Sequence, residues 1–187
     1  GGLAINAQLN APTGLCLDNA GNIYIADYWN NRVRKITIAT GVITTIAGTG
    51  IAGYSGDGNL AVNALIDGPL QVFIDNFQNV VFSDKWNSVI RRIDQSTGII
   101  TTIAGTGIVG YSGDNGLAIY AQLNNPEGVF VDEHNNIFFT EYYNGAIRRI
   151  DASTGIITTV AGGEPGFSGD NGPATSAKLK PDYVYVD

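Results

Sequence analysis

The pentapeptide GYSGD occupies Gly53–Asp57 and returns at Gly110–Asp114, and the related FSGD follows at Phe167–Asp170. Outward from this motif, Asp18, Asp75 and Asp132 fall at a constant interval of 57 residues. Neighbouring columns keep the same register: Asp27, Asp84 and Glu141; Asn30, Asn87 and Asn144; Arg34, Arg91 and Arg148; Gly41, Gly98 and Gly155. A fixed period of this order marks one supersecondary unit that cannot bury its apolar face alone and must stack on copies of itself.

Each copy divides into four short β-rich runs. The first is Gly14–Leu17, repeated at Gln71–Ile74 and Gly128–Val131, with Pro12, Pro69 or Pro126 two residues upstream. Proline can start such a strand but cannot sit inside it. The second, Ile23–Ala26, repeats at Val80–Ser83 and Ile137–Thr140 and is apolar at successive positions, as expected of a strand covered on both faces. The third is Arg32–Ile36, with copies at Val89–Ile93 and Ala146–Ile150. The fourth is Val42–Ala47, with copies at Ile99–Ala104 and Ile156–Ala161. Turns such as Asp18-Asn19-Ala20-Gly21-Asn22 and Asp94-Gln95-Ser96-Thr97-Gly98 supply residues that tolerate a left-handed backbone and an Asp that accepts backbone N–H groups. Four antiparallel strands joined by hairpins, then a glycine-rich crossover, is the plan of a β-propeller blade. Within the crossover, Leu60–Ala64 is expected to form one short helical turn.

Composition limits the possible functions. With 44% hydrophobic and 14% charged residues, the chain has ample material for a core and is not disordered. No apolar run approaches the roughly 20 residues that cross a bilayer, and no signal peptide is evident. The net charge of −7, with ten scattered Lys and Arg, argues against a nucleic-acid partner. There is no methionine, which suggests a processed product, an excised domain or a section of something longer. Cys16 is the only cysteine and shares its column with Phe73, Phe130 and Tyr185, so a packing role is expected over a nucleophilic one.

The motifs P-x-G-strand-D, N-strand-A-D, N-x-[RV]-[VI]-R and TG-[VI]-ITT-[IV]-AG together resemble NHL repeats. The linker AGTGIAGYSGDGNLAVNAL is similar to the long-linker subclass found in extracellular bacterial and teneurin-like proteins. The resemblance covers the whole chain and implies an all-β, NHL-type β-propeller of four-stranded blades, an extracellular or cell-surface location, and an interaction platform in place of chemistry. On this register the chain holds a linker at 1–9, blade 1 at 10–47, a linker at 48–66, blade 2 at 67–104, a linker at 105–123, blade 3 at 124–161, a linker at 162–180 and the first strand of a further blade at 181–187. Three complete blades plus one first strand cannot close a ring and leave open blade edges. A second chain, a longer array or a filament of stacked arcs would each cover them.

No catalytic or metal site is expected. The only histidine, His134, lies in a hairpin turn, and no Ser-His-Asp, HExxH or zinc-spaced Cys/His set is present. Asp57, Asp114 and Asp170 invite a calcium reading. Calcium takes six to eight oxygens, however, and each SGD loop offers one carboxylate beside hydroxyls and carbonyls, so a turn-stabilising role with Asp accepting loop N–H groups is preferred and no cofactor is expected. Asp27 with Arg34, Asp84 with Arg91, and Glu141 with Arg148 are spaced for cross-strand ion pairs.

One column does not look structural. The loop between second and third strands carries Tyr28-Trp29-Asn30, Lys85-Trp86-Asn87 and Tyr142-Tyr143-Asn144. Flat rings at Trp29, Trp86 and Tyr143, backed by Tyr28 and Tyr142, would form a rim suited to protein docking or glycan stacking; alternatively each ring folds onto the neighbouring blade. The expected function is therefore a non-enzymatic binding and assembly platform for a protein, itself included, or a glycan. The alternatives are a structural subunit of an extracellular fibre, and part of a propeller lyase or hydrolase whose site lies in other blades.

Overall fold

Hairpin turns built on one aspartate each fold every repeat into an antiparallel sheet. In the computed structural model, which describes residues 1–186, Asp18 Oδ1 accepts the amides of Ala20 and Asn22, and Asp75 and Asp132 do the same at Phe77 and Asn79 and at His134 and Asn136. The strands are β1 (Pro12–Leu17), β2 (Ile23–Asp27), β3 (Arg32–Thr37) and β4 (Val42–Ala47) in the first blade, and β5 (Pro69–Ile74), β6 (Val80–Asp84), β7 (Val89–Ile93) and β8 (Ile100–Ala104) in the second. The third blade holds β9 (Pro126–Val131), β10 (Ile137–Glu141), β11 (Ala146–Ile150) and β12 (Ile157–Gly162). Within each blade the four strands lie in chain order, and all their pairs are antiparallel.

The first strand of every blade is bulged just after its proline, where Pro12, Pro69 and Pro126 face Asp27, Asp84 and Glu141. In blades 2 and 3 a hydroxyl bridges the bulge. Ser83 Oγ accepts from the Gln71 amide at 3.0 Å and donates to the Glu127 carbonyl at 2.7 Å, and Thr140 Oγ1 links the Gly128 amide to the Asp182 carbonyl. The same two side chains thus tie the first strand of one blade to the corresponding stretch of the next.

Blades stack face to face over two apolar cores. Tyr24, Val33 and Ala47 of blade 1 meet Val72, Phe82, Ile93 and Ile100 of blade 2, with Ala61, Ala64 and Ile66 of the linker between them. Val81, Ile90 and Ala104 of blade 2 meet Val129, Phe139 and Ile157 of blade 3 through Ala118, Ala121 and Leu123. Alternate residues of β6 enter opposite cores, which explains its unbroken apolar run.

The linkers after blades 1 and 2 leave the fourth strand, pair with the outer edge of the next blade, then turn inward through a single 3-10 turn, whereas in the last linker Glu164–Pro165 pairs with Lys178–Leu179. Gly58 donates to the Ile100 carbonyl, Ile100 donates to the Asn59 carbonyl, and Ala61–Asn63 forms the turn. Gly2–Leu3 pairs with Val42–Ile43 at the same place on blade 1. Residues 181–186 run beside β9: the Asp182 carbonyl accepts from Gly128, and Tyr185 stacks edge-on against Phe130, 5.0 Å away, as Phe130 packs on Phe73. With no second strand beside them they form no ladder, and Asp187 lies outside the described residues. The three four-stranded blades form an arc that does not close among the described residues.

Candidate functional site

The loop between second and third strands is held by a buried carboxylate at its base. Asp27 accepts the Asn10 amide at 2.8 Å and both contacts of the Asn30 amide group. Asp84 accepts from Asp67 at 2.7 Å and Asn87 at 2.9 Å, and Glu141 accepts from Asn124 at 2.6 Å and Asn144 at 3.1 Å. The expected cross-strand pairs are present: Arg34 to Asp27 at 3.3 Å, Arg91 to Asp84 at 3.5 Å and Arg148 to Glu141 at 3.0 Å. Burial pushes the Asp84 carboxyl up, to about 7, against the pull of the Asp67 amide, Asn87 and Arg91; burial also raises Glu141 against Arg148. The carboxylates of Asp27, Asp84 and Glu141 are fully enclosed in the scaffold.

On this base the loops of blades 1 and 2 each make one 3-10 turn closed by a left-handed residue, Asn31 and Ser88, and the loop of blade 3 is a turn ending at Gly145, also left-handed. Amides of Trp29 and Trp86 donate to the carbonyls of Asn10 and Asp67, fastening the loops to the entry of the first strand. The rings are thereby set at the surface: Trp29 is 60% exposed, Tyr143 52% and Trp86 43%. Their flanking residues differ. Tyr28 is buried and meets Trp29 edge-on at 4.7 Å, whereas Tyr142 is half-buried with its ring 5.5 Å from that of Tyr143.

Blade 2 joins the rim to its neighbours. Tyr28 of blade 1 and Trp86 both lie against Gly68, whose left-handed φ of +60° and missing side chain leave them room. Lys85 sits 5.0 Å from the centre of the Trp86 ring and reaches Glu127 of blade 3 at 2.7 Å. The result is one aromatic ridge, Trp29–Tyr28–Trp86, continued by a Lys85–Glu127 pair towards blade 3. The Trp86 ring lies against Gly68 of its own blade and remains 43% exposed. The Lys85–Glu127 contact has no counterpart in blade 1, where Tyr28 stands in the lysine's column, so no repeated pattern announced it.

The SGD loop requires a correction. Asp57 does not accept amides of its own loop: Oδ1 takes Arg91 Nη2 at 2.6 Å and Oδ2 takes the amide of Thr102 on β8 at 3.1 Å. Asp114 repeats this with Arg148 and Thr159. Tyr54 and Tyr111 lie over the same guanidinium groups at 5.4 and 5.2 Å and bond to Thr102 and Thr159 hydroxyls. The loop is a latch onto the next blade, and both oxygens of each of these carboxylates are engaged. The signal was present in the sequence, since the Tyr-to-Arg and Asp-to-Arg intervals repeat between copies, but only the blade stack shows that they meet.

Among the described residues no three His, Cys, Asp or Glu side chains gather as metal ligands, and no helix is long and apolar enough to cross a membrane. Cys16 packs beside the first core, and burial pushes its thiol up to about 12.

Residues 9–36 match the NHL repeat family model, and the columns of that segment recur in both later copies. Among curated relatives, the chain is 28% identical over 151 residues to protein SUPPRESSOR OF QUENCHING 1, chloroplastic, from Arabidopsis thaliana, covering 77% of this chain and 14% of that protein. It is 31% identical over 176 residues to teneurin-1 from Gallus gallus, covering 86% of this chain and 6% of the relative. In structure it resembles an auxiliary nutrient binding protein from Bacteroides ovatus (TM-score 0.68, 15% identity, 96% of this chain and 44% of that one). It also resembles a streptogramin B lyase (TM-score 0.60, 12% identity, 98% and 47%), a likeness that shows the fold alone. The chain spans a small part of these relatives and under half of each of these two propeller structures.

Proposed function

The chain is an array of NHL repeats folded as part of a β-propeller, and from that premise we propose that it is a non-enzymatic, extracellular binding platform whose protein or glycan partner docks on the rim carrying Trp29, Trp86 and Tyr143. The observation that carries this reading is the contrast within one loop. The polar residues of the turn are all consumed by the scaffold, while the large ring beside them is presented to solvent in every copy. Exposed rings held by a rigid base have large contact area and little entropy to lose on binding. Likeness to teneurin-1 supports this reading.

The test uses a reporter the chain already carries. Trp29 and Trp86 are its only two tryptophans, so all indole emission comes from the proposed contact surface. Titration with candidate extracellular proteins and oligosaccharides is expected to shift or quench that emission. The Trp29→Ala/Trp86→Ala variant is expected to bind the same partner at least about tenfold more weakly with unchanged thermal stability. A partner that binds without perturbing the emission, and binds the variant equally well, rules out the rim.

A further inference from the structure

The three cations of one column, Lys35, Arg92 and Arg149, are held differently. Lys35 lies 4.8 Å from the centre of the Tyr24 ring and 3.6 Å from Asp18, and Arg149 donates to Asp151 and Asn136 at 2.8 Å. Arg92 is exposed and, among the described residues, makes no hydrogen bond or ion pair. Its surroundings give the reason. Val81 stands where blade 1 has Tyr24, so Arg92 has no ring beneath it, and the Asp94 carboxylate is taken by Ser96 and Thr97 of its own turn. Across the ladder Arg92 faces Val81, which belongs to the core shared with blade 3, so the guanidinium lies at the seam between those two blades.

That seam holds a cavity of about 210 Å³ with Arg92 in its lining. Its floor is apolar, formed by Ile103 of blade 2 and Val131, Ile137 and Ile150 of blade 3. Phe77, in the β5–β6 turn, walls it and is 73% exposed, where blade 1 has Ala20 and blade 3 has His134. The other charged residues of the lining are already engaged: Asp75 accepts two amides and the Asn79 side chain, and Asp151 accepts from its own turn and from Arg149. A second cavity of about 450 Å³ shares Phe77, Asn135 and Asp151 with the first and adds His134, Asn136 and Ser153. Both walls of the seam come from repeats present in the chain.

We propose that this seam is a further binding site, which takes the C-terminal residue of a partner polypeptide, its α-carboxylate on Arg92 and its aliphatic or aromatic side chain on the apolar floor against Phe77. The first cavity is smaller than the roughly 300–1,000 Å³ of sites for drug-sized ligands, and so holds about one residue. An apolar side chain and a carboxylate occur together in one residue only at the end of a chain. A guanidinium takes a carboxylate through two parallel N–H···O bonds, and the apolar floor strengthens them by excluding water. The occupant carries a single negative charge, because Asp75 and Asp151 in the same lining repel a more highly charged group. Its preceding residues leave through the second cavity, where amide, hydroxyl and imidazole groups match a peptide backbone. The site lies at the opposite end of β6 from the rim, since Val80 adjoins the Phe77 turn and Asp84 adjoins Trp86, and it does not depend on the rim.

Fluorescence anisotropy of dye-labelled short peptides ending in Leu, Phe or Val tests it, each peptide being made with a free carboxylate and with a C-terminal amide. At least one free-acid peptide is expected to bind, and its amide at least about tenfold more weakly. That comparison needs no variant. Arg92→Gln, which removes no bond of the fold, is expected to lower the free acid to the level of the amide and to leave the amide unchanged, whereas Phe77→Ala is expected to weaken both. Failure of all three free acids to bind at millimolar concentration overturns the proposal, as does equal binding of acid and amide, or binding that Arg92→Gln leaves unaltered. Phenylacetate that competes as well as the peptide does, mole for mole, replaces the chain end with a small free acid and overturns it too. A peptide that shifts the indole emission is bound at the rim and counts against the seam. The rim itself is read by that emission with its own partners, and stands or falls separately.

Discussion

At Arg91 the guanidinium is held from five sides: Asp84, Asp57, the carbonyls of Ser55 and Leu65, and the ring of Tyr54. Its side chain and that of Asp84 are both fully buried, so the pair is a desolvated charge cluster that tolerates no missing member. Arg91→Ala leaves the Asp84 carboxylate with amide partners alone and should lower stability by about 3–5 kcal/mol. Arg34→Ala, at a site that is partly open and lacks the latch, should cost clearly less. Chemical denaturation of both variants checks the order, and equal losses would show that the latch adds nothing. The spacing in sequence named the Asp–Arg pair correctly. It gave Asp57 the wrong partner, because an aspartate in a glycine-rich loop ordinarily bonds its own turn and the competing arginine lies on another blade.

At the scale of the element, the linker is the part whose conformation is least free. Gly105 leaves β8 with φ +93°, and a side-chain carbon there would strike the carbonyl oxygen of Ser88, the residue that ends the neighbouring rim loop. Gly58 also has positive φ, +78°, but faces open space. Gly105→Ala should therefore cost the strain of a left-handed alanine plus the displacement of the loop, about 2–4 kcal/mol, against about 1 kcal/mol for Gly58→Ala. Melting temperatures of the two single variants test this, and comparable shifts would mean that the loop yields freely. The glycine-rich character of the crossover was visible in the sequence. Which of its glycines carries a steric demand was not, since that depends on a carbonyl brought up by the blade stack.

For the whole molecule, stability is set by neighbours: blade 2 buries both faces, while blades 1 and 3 each bury one. In a quasi-linear array local opening is easiest at the ends. Amide hydrogen exchange should accordingly be slowest in β6 and β7, with clearly faster exchange in β2 and β3 and in β10 and β11. Uniform protection across the three blades would indicate that the outer faces are covered in solution.

The sequence by itself determined the repeat, the four strands and three hairpin connections of each blade, the carboxylate–arginine pair and the aromatic column, because each is fixed by residues close in the chain or by alternation along a strand. Only the tertiary structure decided what the GYSGD loop is for, and that Trp86 shares the Gly68 notch with Tyr28 of another blade. These contacts join residues some 34 or more positions apart across blade faces, where no local periodicity reaches and only the stacking of one sheet on the next brings the groups together.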